Sequence, residues 1–357
     1  MVKKETSMIK VSTLVGCLIS CLMLGCFGKP DSAGDGTQLV VVADDVVWHE
    51  LEESIRRTFE KEIPTPQPEK LFSILHATQE NWTDFATQRN LAFVGTLAGQ
   101  GEISKQVQNM LSEGVRAEVE AGNAFVFPRN DPWAKQQLLL VLAGQTAADL
   151  AGKLIDNKDY LYDLFEKRLR ARTSQQMYAQ FEQTELADKI LKKYGWTLRI
   201  QHDYFVNTDR AESGFYMLRR SLPGRERWLF VHWIDEANPD DISEDWILQT
   251  RDKIGRKFYK NDKINRDPQY LHFEDVNFAG RSAVMLTGLW ENDEVQAGGP
   301  FRNYTFYDEE TQKIFMIDIA VYYPAGRKEP FLRQLDIMAH TFRTAGDVRR
   351  NKEKENS

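Results

Sequence analysis

Cysteine is almost missing from this chain, and its placement narrows the chemistry. The 357 residues hold three cysteines, Cys17, Cys21 and Cys26, all near the N-terminus. From Phe27 onward there is no thiol for a disulfide, a thiolate metal site or a cysteine nucleophile. Stability must then come from buried cores, which a chain of this length can build. Metal and cofactor signatures are missing too. Histidines 49, 76, 202, 232, 272 and 340 are scattered, with no His-Glu-x-x-His pair. The nearest approach to a ligand pair is His272 and Glu274, two apart on one face of an expected strand, which makes no zinc site. There is no Gly-x-Ser-x-Gly elbow, no P-loop and no Gly-x-Gly-x-x-Gly after a strand. Gly95, Gly99 and Gly101 have the wrong spacing and read as a flexible loop. No metal, no cofactor and no recognisable catalytic set is expected.

Positive charge is also short. Lys and Arg number 46 against 53 Asp and Glu, a net charge of −7. The first 25 residues carry Lys3, Lys4 and Lys10 against Glu5, so removing that +2 leaves −9 on the rest. Such an acidic body has no electrostatic attraction for nucleic acid or anionic lipid. Apolar content of 42% and charged content of 28% fit a folded chain.

What is present begins with Met8–Cys26. Lysines precede an apolar run, Val11 to Leu24, and Gly25-Cys26 closes it before a small and polar stretch up to Gln38. This is the layout of a secretory signal peptide. It resembles a bacterial lipoprotein signal, in which the cysteine takes a diacylglyceryl group, is acylated by chains such as palmitate, and becomes the mature N-terminus. Three boxes compete: Leu14-Val-Gly-Cys17, Leu18-Ile-Ser-Cys21 and Met23-Leu-Gly-Cys26. Cleavage at Cys17 leaves an apolar run shorter than the usual ~7–15 residues. Cleavage at Cys21 leaves Leu22-Met-Leu exposed. Cys26 gives an adequate run and a polar tether, so it is the expected lipidation site, with Cys21 second. The run is shorter than the ~20 residues that span a bilayer. Phe27 is not the Asp that retains some lipoproteins at the inner membrane. The expectation is an envelope protein on the outer membrane, facing the periplasm.

Hydrophobic periodicity gives an α+β chain. Residues 1–25 are the signal and 26–38 the tether. An N-terminal α/β domain spans 39–158, a helical connector 159–195, a C-terminal antiparallel α+β domain 196–345, and a charged tail 346–357, of which Asn351–Ser357 is expected to fray. In the first domain Leu39–Ala43, Phe72–His76, Leu91–Gly95 and Gln137–Leu142 read as strands, Val46–Glu62 as a helix, and Val115–Pro128 as a strand pair. In the second, helices expected at Ser243–Phe258 and from Pro330 cover an antiparallel sheet. Two hairpins are expected there, one across Ala279-Gly280 and one across Asp308–Gln312.

Two stretches carry candidate sites. Asp44-Asp45 follows the first strand, with Trp48 one helical turn on. Paired carboxylates at a strand's C-terminal edge can hold Mg²⁺ or act as acid and base. They equally serve as a helix N-cap, and the cap is the favoured reading. The second stretch is Trp290-Glu291 and Gly298-Gly299-Pro300-Phe301, flanking an acidic loop. It reads either as a binding loop with an aromatic wall or as a strand crossover with Trp290 and Phe301 in the core. The crossover is favoured.

Four motifs in this order, Asp44-Asp45-x-x-Trp48, Asn130-Asp-Pro-Trp-Ala-Lys135, Gly288-Leu-Trp-Glu291 and Gly298-Gly-Pro-Phe301, span nearly the whole chain after the signal. Together they resemble an uncharacterised bacterial lipoprotein family, domain of unknown function 4837. The resemblance implies envelope location and domain extent, and no activity. The layout of the C-terminal half is similar to PsbP/Mog1-like sandwiches. The function expected is a non-catalytic binding or scaffold protein, held to the membrane by lipid, with an envelope protein or small ligand as partner. The alternative is a hydrolase-like periplasmic enzyme with a carboxylate or metal-assisted site at Asp44 and Asp45.

Overall fold

The structure, a computed structural model, describes residues 28–63 and 65–355, so Cys26 and its signal lie outside the described residues. Two compact units are present. One takes the residues up to Leu51 with Leu75–Ala151, and the other takes Glu52–Ile74 with Gly152 onward. The architecture is α+β.

The first unit is built on strands β1 (Gln38–Val42), β2 (Ser73–Ala77), β3 (Asn90–Thr96), β4 (Val126–Asn130) and β5 (Leu138–Gly144), in the order β2-β1-β3-β5-β4. β3 runs parallel to β1 and β5, and β4 is antiparallel to β5. Every residue of β3 and β5 is buried, which explains their unbroken apolar runs. Helices α1 (Asp45–Phe59), α2 (Glu102–Met110), α3 (Glu113–Glu120) and α4 (Ala147–Asp156) follow the chain order. The strand pair expected over Val115–Pro128 is instead α3 followed by β4. The Ser112 hydroxyl accepts the Val115 N–H at 3.4 Å, starting a helix whose Val119 is buried. β-branched residues at 115 and 119 stand one turn apart on one helical face, and that spacing prevails over their strand propensity.

The second unit begins, after the segment 52–74, with α5 (Lys158–Met177) and α6 (Thr184–Tyr194). The residues expected as a connector are part of this unit's core. Leu161, Phe165 and Leu169 are buried, and Phe165 meets Phe59 edge-on at 5.6 Å. The helical region breaks at 178–183, and Gly195 ends α6 with φ 76°.

The large sheet comprises β6 (Phe205–Arg210), β7 (Phe215–Leu222), β8 (Arg225–Ile234), β9 (Lys263–Ile264), β10 (His272–Phe278), β11 (Arg281–Asn292), β12 (Ala297–Asp308) and β13 (Lys313–Tyr322). Its order is β9-β11-β12-β13-β8-β7-β6, and every pairing is antiparallel. β9 and β10 share the outer edge of β11, the first at Trp290 and Glu291, the second along Arg281–Thr287. The β10–β11 hairpin turns at Ala279 and Gly280, with φ 50° and 85°. Positive φ at both central residues is the turn whose twist matches that of the strands.

Period-two alternation sends the sheet's side chains to two cores. Leu229 and Val231 of β8 join Ile317 and Ile319 beneath α8 (Glu329–Ala339), while Trp228 and Phe230 join Met217 and Met316 beneath α7 (Glu244–Phe258). Ser243 caps α7, its hydroxyl accepting the Trp246 N–H at 3.3 Å. α8 is capped from far away in sequence: both Glu69 oxygens accept N–H groups, from Lys328 at 2.8 Å and Glu329 at 3.0 Å. That contact is one reason the segment 52–74 belongs with this unit. The tail expected to fray is helical through Glu355, as α9 (Ala345–Glu355). Thr344 and Asp347 each bond the other's backbone N–H, a capping box, and Arg349 and Arg350 pair with Glu310.

Candidate functional site

A cavity of about 360 Å³ opens on the α7 face of the large sheet. Its size falls in the lower range of small-molecule sites. Strand alternation places Met217 and Arg219 of β7 and Glu226 and Trp228 of β8 on that face, with Arg219 directly opposite Trp228. β11 brings Trp290 and Asn292, and β13 brings Tyr322. The end of α7 adds Phe258, and the turn after it adds Tyr259, Lys260 and Asp262.

Five aromatic rings therefore wall the cavity. Trp228 and Trp290 meet at 5.2 Å and 62°, Trp228 and Tyr259 at 5.9 Å and 35°, and Trp290 and Tyr322 at 6.3 Å and 52°. Trp290 holds its place through Gly299, its cross-strand partner. The indole N–H donates to the Val321 carbonyl at 3.3 Å, and a Cβ on Gly299 would lie 2.0 Å from that same oxygen. Only glycine fits there.

Asn292, 3% exposed, closes one end. Its amide donates to the Lys260 carbonyl at 2.7 Å and to Asp262 at 2.6 Å, and its side-chain oxygen accepts from Glu294 and Val295 N–H. One side chain thus ties the turn after α7, where Lys260 and Asn261 have φ 51° and 69°, to the β11–β12 loop.

The polar groups are mixed in sign. The Arg219 guanidinium pairs with Glu226, which also accepts from Ser221 at 3.2 Å. Burial pushes the Asp262 carboxyl up against the opposing bond from Asn292, and pushes the Tyr259 hydroxyl up as well. Two buried polar atoms of this lining, the Tyr259 hydroxyl and Arg219 Nε, have no hydrogen-bond partner among the described residues.

A larger, more open depression of about 750 Å³ lies beside the β10–β11 turn. Its charges satisfy one another: Arg281 holds Asp308 at 2.6 Å and Asp347 at 2.7 Å, and Arg350 holds Asp347 and Glu310. It has the weaker claim.

The candidates from the sequence fall in different places. Asp44 does cap a helix, but α2 rather than the helix that follows it. Its two oxygens accept the Ile103 and Ser104 N–H groups, each at 2.9 Å. A Cβ at Gly101 would meet that carboxylate at 2.2 Å. Asp45 is exposed in the first turn of α1, and Trp48 is buried, stacked on His76 at 4.5 Å. Among the described residues no group of three or more His, Cys, Asp or Glu side chains is placed to hold a metal ion. In the second stretch, Trp290 is a wall of the cavity, while Glu291 bonds Asn265 at 2.8 Å. Gly298 is exposed, Gly299 and Pro300 are buried, and Phe301 is fully buried beneath Arg251. Phe301 is thus core rather than contact surface. Trp228, Tyr259, Tyr322, Arg219, Glu226 and Asn292 were not singled out from sequence. Alternation over 227–234 places Trp228 on a strand face, but nothing local says that this face meets the end of α7.

Residues 183–341 match the family model of DUF4837, a domain of unknown function. All the cavity's lining residues fall inside the DUF4837 match. Residues 32–178 match a second model, domain of unknown function DUF8532. The resemblance that spanned nearly the whole chain therefore resolves into two, because the Asp44–Trp48 and Asn130–Lys135 motifs fall under DUF8532. No curated protein matches. Among solved structures, the Ran-binding protein Mog1p of Saccharomyces cerevisiae is 13% identical over 42% of this chain and 90% of that one, with a TM-score of 0.30. LpqN of Mycobacterium tuberculosis, described as involved in cell envelope biogenesis, is 9% identical over 41% and 81%, TM-score 0.26. A structure from Bacteroides thetaiotaomicron is 7% identical, TM-score 0.26, and the present chain spans 45% of its length. TM-scores this low fix no function.

Proposed function

We propose that this is a lipid-anchored envelope protein that binds a small ligand in the cavity of its DUF4837 region and carries out no chemistry on it. The observation behind the reading is the cavity itself: about 360 Å³ walled by five aromatic rings, with charged side chains of both signs on its lining. Absence of chemistry is supported by the state of the lining carboxylates. Glu226 is engaged by Arg219 and Ser221, and Asp262 by Asn292, so neither stands free as an acid or base. The hydrolase alternative at Asp44 and Asp45 loses support, since both Asp44 oxygens serve backbone N–H groups.

Anchoring rests on the sequence alone: the apolar run before Cys26 and the polar tether after it. Two or more acyl chains on one cysteine hold a protein stably at a membrane, which a single chain does not. Outer-membrane attachment facing the periplasm is part of this proposal.

The test uses the cavity's own reporters. Trp228 and Trp290 stand in its wall, so a bound ligand should change tryptophan fluorescence and raise the melting temperature. A panel of chemically diverse small molecules is screened by both readouts. A panel that leaves both unchanged would remove the reading.

A further inference from the structure

We infer that the outer edge of β6 receives an extended acidic segment of a partner protein, laid down as one more strand of the large sheet. This site does not depend on the cavity or on its ligand.

β6 is the last strand of its sheet, and among the described residues its backbone bonds only β7. Its outward N–H and C=O groups form a row open to another strand. Both faces of this edge carry apolar side chains that the fold leaves in solvent. Phe205, 67% exposed, lies opposite Arg219 on the α7 face, and Val206, 43% exposed, lies opposite Leu218 on the α8 face. An added strand sends alternate side chains to the two faces, so its apolar residues cover one or the other.

Charge selects the segment. On the α8 face a groove of about 520 Å³ lies between α6 and β6. Ile190, Tyr194, Val206 and Tyr216 give it an apolar floor, and Lys189, Lys192 and Lys193 complete the lining. Lys193 is held by Asp209 at 2.9 Å, whereas Lys189 and Lys192 are exposed and form no ion pair among the described residues. Three cations against one aspartate reverse the balance of a chain whose net charge is −7. Carboxylates on the arriving strand meet Lys189 and Lys192 while its apolar residues cover the floor.

The same features argue against other occupants. Two β6 edges paired antiparallel are related by a two-fold axis perpendicular to the sheet, which brings both α6 helices to one face, lysines toward lysines. β6 also carries an extra residue, Asn207, where its register shifts between Met217 and Leu218. Such a bulge twists an edge away from flat self-pairing, and a single peptide can follow that twist where a second sheet cannot. An anionic lipid surface answers the lysines but supplies nothing to pair with the open backbone row.

The experiment selects a display library of random peptides, about eight residues long, on the full chain in detergent. Enriched peptides are then titrated by fluorescence anisotropy. Asp and Glu alternating with apolar residues, without proline, are expected. Lys189→Glu combined with Lys192→Glu should weaken the best peptide roughly tenfold at an unchanged melting temperature. Methylating the peptide's amide nitrogens one at a time should abolish binding at every second position, the period of a strand donating its N–H groups to β6. Basic or patternless peptides, affinity unmoved by the charge reversal, or methylation losses without that period each overturn the proposal. Dimerisation that Val206→Lys abolishes also overturns it, since a second copy then fills the edge. So does protection of Lys189 and Lys192 from amine-reactive labelling by phosphatidylglycerol vesicles without peptide, which makes this face a membrane contact.

Discussion

The Arg251 guanidinium lies 3.7 Å from the centre of the Phe301 ring, and both are buried. The same guanidinium donates to both oxygens of Asp318, at 2.8 and 3.3 Å, and Asn303 adds a bond at 3.0 Å. Phe301 is thus the floor on which α7's one buried arginine is laid against the sheet. Burial raises the Asp318 carboxyl even so, with Arg251 and Asn303 pulling the other way.

Phe301→Ala should therefore behave as a core truncation, costing about 3–5 kcal/mol in denaturant unfolding. Gly299→Ala should also destabilise, since its Cβ would lie 2.0 Å from the Val321 carbonyl and 3.1 Å from the Trp290 indole nitrogen. If either variant kept wild-type stability and lost only ligand binding, the Gly298–Phe301 stretch would return to being a contact surface.

Asp44 and Glu69 share a device: each carboxylate reaches across the chain to two N–H groups at the start of a helix it does not belong to. Negative charge there also meets the positive end of the helix dipole. Asp44→Ala should cost about 0.5–2 kcal/mol, the range of a lost N-cap, and Asp44→Asn, with one oxygen, should fall between. Chelators should leave the melting temperature of the wild type unchanged. A stabilising divalent ion lost in Asp44→Asn would revive the metal-assisted alternative.

The Asp44 contact also shows where sequence reading stops. Capping by Asp44 was legible because carboxylates at strand ends favour helix starts, but its target was not, because Ile103 and Ser104 come near only after β3 has paired with β1. The β10–β11 hairpin was legible in full, since alternation and the Ala279-Gly280 turn are local. So was the start of α7 at Ser243. The α3 segment was misread because Val115 and Val119 suit either a strand or a helix face. The cavity was half legible: Trp290 stood out beside its glycines, whereas Tyr259 and Asn292 gain meaning only from a contact made across the fold.

Anchoring has a direct chemical test. Mass spectrometry of the membrane-extracted protein should find a diacylated or triacylated peptide beginning at Cys26. Cys26→Ala should move the protein out of the membrane fraction or leave the signal uncut. An intact Lys3–Lys10 segment on the mature protein would contradict the proposal.

Asp336 gives the clearest pH prediction. Its carboxylate is 2% exposed on α8, paired with Arg170 at 2.5 Å and Arg302 at 3.0 Å, and it accepts the Tyr304 hydroxyl. Burial alone would raise its pKa, but the two arginines and nearby His340 outweigh that and hold it well below the ordinary 3.8. A depressed carboxyl binds protons more readily in the unfolded chain. Its contribution to stability is therefore fully present above pH ~4 and declines as pH falls toward the folded-state value. Glu166, in the same network, is raised by burial and has the opposite sign, so it softens the slope without reversing it. Asp336→Asn should cost about 3–5 kcal/mol at pH 7, because it leaves two arginines with a buried neutral partner. It should also flatten the loss of stability between pH 4 and pH 2, measured by urea unfolding at each pH. Equal slopes for wild type and variant would mean that the acid transition belongs to other carboxylates.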